Sequence, residues 1–338
     1  MKWIIIIAAV LCLLLFLCIR LLSKNGYGRS DRPRLSYTWY YDHYQDRYPR
    51  RKFMVQSGKN SLACFVYGEE NTDVLLVLSH GSGTFHEEYM KEIVWFVDHG
   101  YRVIAPDYTA CGESEGMHSG GLPQTPIDLD AVLEYIEKDP ELVRMKKVLF
   151  GHSWGAYGVT AVLNYRHEIA AVVSLAAYND PAEETADILA RVSVPAVRLL
   201  EPFFRLSDIM DHGRYGMLTA VKGINRSNIS VLIVHGTGDQ MISFEKCSLV
   251  AKKSKIHNPR TEYLVLTEPG HNDHDSFRYT SQAEDLLKGF RTKSAGLTGE
   301  ELEVLYRELD MEAINSVNEA FMEKVDSFFR KALEEKKE

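Results

Sequence analysis

A series of short, continuous apolar runs limits what this chain can fold into more than any other feature. Asp73 to Ser79, Tyr101 to Pro106, Lys147 to Phe150, Ala170 to Ala176, Ile229 to Val234 and Glu262 to Leu266 are each a few residues long. They are too short for the helices of a bundle. They also lack the polar alternation of a sheet with one wet face, so they read as strands buried on both faces. Between them lie segments with helical spacing. Glu87 to His99 places Tyr89, Ile93, Phe96 and Val97 on one face, and Ile127 to Lys138 does the same with Leu129, Val132, Leu133 and Ile136. Repeated strand–helix units predict an α/β fold with a doubly wound, mostly parallel sheet. Lys52 to Gln56 and Ser61 to Tyr67, joined by Gly58-Lys59-Asn60, predict a hairpin in front of it.

The 338 residues suffice for one large core, which the sequence assigns to 52–338. Within it, 178–228 is too long for a simple crossover and contains Val197-Arg198-Leu199-Leu200-Glu201-Pro202-Phe203-Phe204. Long insertions in compact domains are usually functional, so this one is expected to be a helical cap. A last helix is expected near Ala313 to Leu333.

The N-terminus departs from an ordinary globular composition. Trp3 to Ile19 is unbroken apolar sequence, and Leu21-Leu22 extend it past Arg20. That length matches a bilayer core, and no small-residue cleavage site follows it. Residues 1–22 are therefore expected to form an uncleaved single-pass anchor in contact with membrane lipid. Arg20, Lys24, Arg29, Arg32 and Arg34 follow the run, which places the remainder on the cytoplasmic face. Arg20 to Lys52 carries a net charge of +6 in a chain of −8 overall, interleaved with Tyr37, Trp39, Tyr40, Tyr41, Tyr44 and Tyr48. Beside an apolar run, such a stretch (23–51) reads as a juxtamembrane linker at the lipid headgroups rather than a nucleic-acid surface. It reads equally as an arm packed on the following domain. Cys64, Cys111 and Cys247 are too scattered for a disulfide framework.

The pattern G-x-S-x-G occurs twice. Gly151-His152-Ser153-Trp154-Gly155 stands between the apolar run Lys147 to Phe150 and the small-residue segment Ala156 to Ala161. Strand, sharp turn, helix is the setting a nucleophilic serine requires. Gly112-Glu113-Ser114-Glu115-Gly116 runs instead into Met117-His118-Ser119-Gly120-Gly121-Leu122-Pro123, a loop composition, and two carboxylates flank its serine. Ser153 is the expected nucleophile and Ser114 the expected loop residue.

A serine hydroxyl needs a histidine base, and that histidine needs a carboxylate to fix its tautomer. After a nucleophile elbow the chain order is serine, acid, histidine. His235-Gly236-Thr237-Gly238-Asp239 follows the run Ile229 to Val234 and presents Asp239 as the acid, with Asp180 as its rival. Thr267-Glu268-Pro269-Gly270-His271-Asn272-Asp273-His274 follows Glu262 to Leu266. His271, directly after the Pro-Gly turn, is the expected base, and His274 is its near rival. Backbone N–H groups of Ser82, in His80-Gly81-Ser82-Gly83, and of Trp154 are expected to hold an oxyanion. His80, Gly81, His152, Phe203 and Phe204 are expected to touch substrate.

Together these ordered motifs resemble the α/β-hydrolase superfamily over roughly 52 to 334. They are most similar to its serine aminopeptidase and monoacylglycerol-lipase-like branch. In place of that branch's D-x-R-G-x-G loop stands Asp107-Tyr108-Thr109-Ala110-Cys111-Gly112. The resemblance implies an α/β-hydrolase fold and a serine hydrolase that works through an acyl-enzyme without metal or organic cofactor. A lipid-like or small acyl ester is the expected substrate. A serine aminopeptidase or amidase is the second expectation, with Glu113, Glu115 or Glu184 gripping a free terminus. A non-catalytic module that keeps the fold is the third.

Overall fold

The computed structural model describes residues 2, 3, 10, 16, 17, 19, 20 and 27–335. An eight-stranded sheet runs through the domain: β1 (Arg50–Ser57), β2 (Asn60–Tyr67), β3 (Val74–Ser79), β4 (Tyr101–Pro106), β5 (Lys146–His152), β6 (Ile169–Leu175), β7 (Ser230–Gly236) and β8 (Thr261–Leu266), in spatial order β1-β2-β4-β3-β5-β6-β7-β8. β1 and β2 form the expected hairpin, β2 lies antiparallel to β4, and every later pairing is parallel.

β3 to β7 are buried on both faces, as their lack of alternation predicts, but β8 is not: it stands at the sheet edge and none of its residues is fully buried. β5 shows why. Leu149 faces one core with Leu129, Leu133 and Val159, while Val148 and Phe150 face the other with Phe96 and Phe329. One layer is built from α3 (Gln124–Lys138), α4 (Trp154–Ala161) and α7 (Ala220–Arg226), and the other from α2 (Met90–Asp98) and α11 (Glu319–Glu335). The short α1 (Tyr41–Tyr44) precedes β1. After β8 come α8 (Ser281–Ser294), α9 (Gly299–Arg307) and α10 (Met311–Asn315). The single last helix expected from the sequence is thus two, α10 and α11. Ser316 leaves the helix with ψ 137°, and Asn318 Oδ1 accepts the Phe321 N–H to start α11 afresh.

The insertion is helical: α5 (Pro181–Val192), a 3-10 segment Pro195–Leu200, and α6 (Glu201–His212), before α7 returns the chain to the sheet. Asp180, the rival acid, caps α5 by accepting the N–H groups of Ala182 and Glu183, and its other oxygen pairs with Arg205 at 2.8 Å. A side chain so engaged shapes the entry to the insertion.

The residues read as a linker pack on the domain. Gly28 and Ser30 make β-bridges to His118 and Cys111, and Arg29 donates to the carbonyl oxygens of Ser114, Gly116 and Gly112. Tyr40 and Tyr48 are buried, with Tyr40 stacked on Phe85 at 5.6 Å. Burying these rings against the domain removes them from the headgroup position considered for them. Among the described residues no helix is long and apolar enough to cross a membrane. The anchor expected at 1–22 lies largely outside the described residues. At its end, Ile19 packs with Ala182, Ala186 and Phe204, Phe16 lies 6.4 Å from Phe203, and Arg20 pairs with Asp211.

Candidate active site

Ser153 occupies the turn between β5 and α4 with φ 55° and ψ −116°. Few non-glycine residues hold positive φ, and this region costs on the order of 1–3 kcal/mol. The flanking glycines make the turn possible. A Cβ on Gly155 would lie 2.0 Å from the Ser79 carbonyl oxygen, and one on Gly151 would lie 2.5 Å from that of Gly155. The turn is pinned by the Ser153 N–H, which donates to Leu175 on β6 at 2.8 Å. The Trp154 N–H opens α4, where unpaired donors and the helix dipole favour developing negative charge.

The second G-x-S-x-G is structural. Ser114 Oγ donates to the Asp107 carbonyl at 2.6 Å and accepts the Ala63 N–H at 2.8 Å, fully within the protein. Glu113 is engaged by Lys52 at 2.7 Å, and Glu115 accepts the Ser61 N–H at 2.9 Å.

Asp239 is held as the sequence order requires. Its Oδ1 accepts the N–H groups of Met241 and Ile242 at 2.7 and 2.9 Å, which aims Oδ2 into the site. Oδ2 meets His274 Nδ1 at 2.8 Å and His235 Nε2 at 3.0 Å. Burial would raise the Asp239 carboxyl, but hydrogen bonds from His235 and His274 outweigh it and hold the group well below the usual carboxylate range.

The expected partner, His271, is not the histidine at Asp239. Its Nδ1 bonds Glu284 on α8 instead. The reason is the path of the loop after β8. Gly238 N–H donates to the Asn272 carbonyl at 2.8 Å, and a Cβ on Gly236 would lie 2.1 Å from the same oxygen. The loop therefore crosses the β7 turn at Asn272, and the residue beyond that crossing, His274, reaches Asp239. Its ring lies 5.0 Å from that of His152, the residue before Ser153. Burial pulls the His274 imidazole down, but the Asp239 hydrogen bond and charge more than restore it and lift it above its ordinary value. The close approach of glycines 236 and 238 to another chain segment is the signal that favours His274. It is not visible without that segment.

Gly81 stands against the nucleophile: a Cβ there would lie 3.6 Å from Ser153 Cβ. The Gly81 carbonyl accepts from His80 Nδ1 at 2.8 Å and Thr84 Oγ1 at 2.9 Å. In a trans peptide the next N–H points the opposite way, so these bonds orient the Ser82 N–H. His80, expected to touch substrate, is wholly buried, and its Nε2 accepts the Tyr108 N–H at 3.0 Å. Burial lowers it to about 4, so it stays a neutral strut. His152 is likewise interior, lowered to about 3 by burial, with Nδ1 on the Tyr89 hydroxyl. Phe204 is buried in a cluster with Ile19, Ala182 and Ala186, and Phe203 packs against that cluster. The apolar sequence of this pair made it look like a substrate wall, but its partners are α5 and the N-terminal residues Phe16 and Ile19. Tyr89, read only as one residue of an apolar helix face, is a polar member of the site.

The arrangement presents a strained serine and a carboxylate–imidazole pair at the carboxyl ends of the parallel strands. This set suits nucleophilic attack on a carbonyl.

The fold has close counterparts. An esterase from Pyrococcus furiosus is 17% identical with a TM-score of 0.54, covering 80% of this chain and 97% of its own. Est1E from Butyrivibrio proteoclasticus, solved with ferulic acid bound, is 15% identical with a TM-score of 0.51, covering 72% of this chain and 100% of its own. No curated protein matches the sequence. Residues 75–276 match the model of the alpha/beta hydrolase family, a span that contains Ser153, Asp239 and His274. The chain belongs to the alpha/beta hydrolase family.

Proposed function

We propose that this protein is a serine hydrolase that cleaves carboxylic esters through an acyl-enzyme. The observation that carries the reading is the pairing of His274 with a deprotonated, backbone-held Asp239 beside the strained Ser153 turn. With Nδ1–H donated to Asp239, Nε2 of His274 is free to accept the Ser153 Oγ proton as Oγ adds to the ester carbonyl. The Ser82 and Trp154 N–H groups take the oxyanion. His274 then gives the proton to the leaving alkoxide, and a water, deprotonated by the same nitrogen, releases the acid and restores Ser153.

Ester rather than peptide substrates are favoured because, of the three carboxylates considered for gripping a free terminus, Glu113 and Glu115 are tied to Lys52 and to the Ser61 N–H, and Glu184 is buried. The naming of the similar Pyrococcus furiosus fold as an esterase points the same way. The seventeen-residue apolar run Trp3 to Ile19 supports a membrane anchor, with a lipid-like or small acyl ester as substrate and the following basic residues holding the domain on the cytoplasmic side.

A fluorophosphonate probe and p-nitrophenyl esters test the chemistry. Labelling and an acyl-enzyme burst that vanish in Ser153→Ala and persist in Ser114→Ala are expected. Labelling that survives Ser153→Ala overturns the reading. Carbonate extraction of cell membranes tests the anchor, which fails if the full chain is released.

A further inference from the structure

Two hydrogen bonds through Tyr89 join the Gly81 turn to the nucleophile elbow, and the reaction as derived above does not use them. The Gly81 N–H donates to the Tyr89 hydroxyl at 2.9 Å, so this N–H is not an oxyanion donor. The same hydroxyl meets His152 Nδ1 at 2.8 Å. On the other side of the ring, His152 Nε2 faces Asp275 Oδ1 at 3.6 Å, one residue after His274. One proton assignment fits the two hydrogen bonds: the Tyr89 O–H donates to His152 Nδ1, which leaves the imidazole proton on Nε2, a buried nitrogen without a hydrogen-bond partner that only faces the Asp275 carboxylate.

Tyr89 and His152 are almost wholly buried, and burial raises the Tyr89 hydroxyl to about 12, so it keeps its proton. The Tyr89 ring is clamped by the Arg278 guanidinium, 4.2 Å above it, which Glu92 holds at 2.9 Å. A Cβ on Gly81 would lie 3.1 Å from the Tyr89 hydroxyl, 3.6 Å from His152 Nδ1 and 3.6 Å from Ser153 Cβ. The three groups therefore close on one another within a side chain's width of the nucleophile.

We propose that Tyr89 and His152 are positioning residues that hold the Gly81–Ser82 peptide over Ser153, so that the Ser82 N–H meets the oxyanion as it forms. His80 and Thr84 set the orientation of that peptide through the Gly81 carbonyl. Tyr89 sets its distance from Ser153 through the Gly81 N–H. His152, covalently next to Ser153, carries the reference point for that distance. The two bonds act when charge develops on the carbonyl oxygen, not when the ester binds, because a donor out of place by a fraction of an ångström weakens the oxyanion far more than the ground state. The inference rests on the serine hydrolase reading.

The test uses the full chain, p-nitrophenyl butyrate and butylboronic acid, which forms a tetrahedral adduct on a serine. In Tyr89→Phe we expect kcat to fall about 10- to 100-fold with KM within about twofold, and the boronate affinity to fall with kcat. His152→Leu, which removes the acceptor, is expected to match it. His152→Asn, whose Oδ1 can accept the Tyr89 proton, is expected to recover at least half of the loss on a logarithmic scale. This pair keeps the test decisive if Tyr89→Phe fails to fold. Wild-type kcat in Tyr89→Phe or His152→Leu overturns the proposal. So does a loss shared equally by KM and thermal midpoint and not rescued by His152→Asn, since that marks a packing role only. If the wild-type chain takes neither probe nor boronate, the serine hydrolase reading itself is wrong and the inference goes with it.

Discussion

His274 Nδ1 and Asp239 Oδ2 lie 2.8 Å apart, and the same carboxylate is fixed by two backbone N–H groups through its other oxygen. Under the proposed mechanism this pairing makes His274 the base. His274→Ala is expected to lower kcat by more than about 10⁴-fold, the scale of losing a triad base. His271→Ala is expected to stay within about tenfold of wild type, since it removes only the bond to Glu284. Steady-state ester hydrolysis by the two variants distinguishes them, and the reverse order of losses would place the base at His271.

Asp239→Asn tests the orienting role of the acid. It keeps the shape but turns an acceptor into a donor opposite Nδ1, which stabilises the wrong imidazole tautomer. A fall in kcat of roughly 10³- to 10⁴-fold with little change in KM is expected.

The pH profile follows from the same pair. His274 must be neutral to take a proton, and Asp239 lifts it above its ordinary value against the pull of burial. The acid limb of kcat/KM is therefore expected above pH 6.5. The folded form binds this proton more tightly than the unfolded chain. His274 thus adds stability that is full below about pH 6.5 and is lost as pH rises through its folded value. A kcat/KM titration that bends below pH 6 contradicts the assignment.

Glu184 carries a separate pH signature. Burial raises its carboxyl to about 7, and neither oxygen has a hydrogen-bond partner of good geometry; Arg191 comes only to 3.5 Å. Because the folded value lies above the unfolded one, the stability contribution is present at low pH and disappears between about 4.5 and 7. Glu184→Gln is expected to match wild type below about pH 4.5 and to be more stable above pH 7, by up to ~3 kcal/mol. Urea midpoints at pH 4 and pH 8 provide the comparison.

Gly155→Ala is expected to destabilise the protein by more than about 3 kcal/mol, because the added Cβ would lie 2.0 Å from the backbone oxygen of Ser79, which cannot swing away. Gly83→Ala, in the same region but with nothing within 4 Å, isolates the cost of its φ of 74° at about 1 kcal/mol. Thermal midpoints that fail to separate the two variants count against the close packing at the elbow.

The sequence by itself determined the sheet, the sharp turn at Ser153 and the carboxylate, Asp239, that meets a histidine. Short continuous apolar runs suit strands covered on both faces, and β3 to β7 lie within two residues of where those runs predicted them. Ser153 was separable from Ser114 because a strained turn between strand and helix leaves a local signature in its neighbours. Asp239 was separable from Asp180 because its glycine turn is also local. The histidine was not legible in this way. His271 and His274 share one loop, and what chooses between them is where Asn272 crosses Gly236 and Gly238, a contact between segments about 35 residues apart. The roles of His80, Tyr89 and the Phe203–Phe204 pair were likewise decided only by tertiary structure. A side chain's type states which bonds it can make, while burial and the partner across the fold decide which of them it does make.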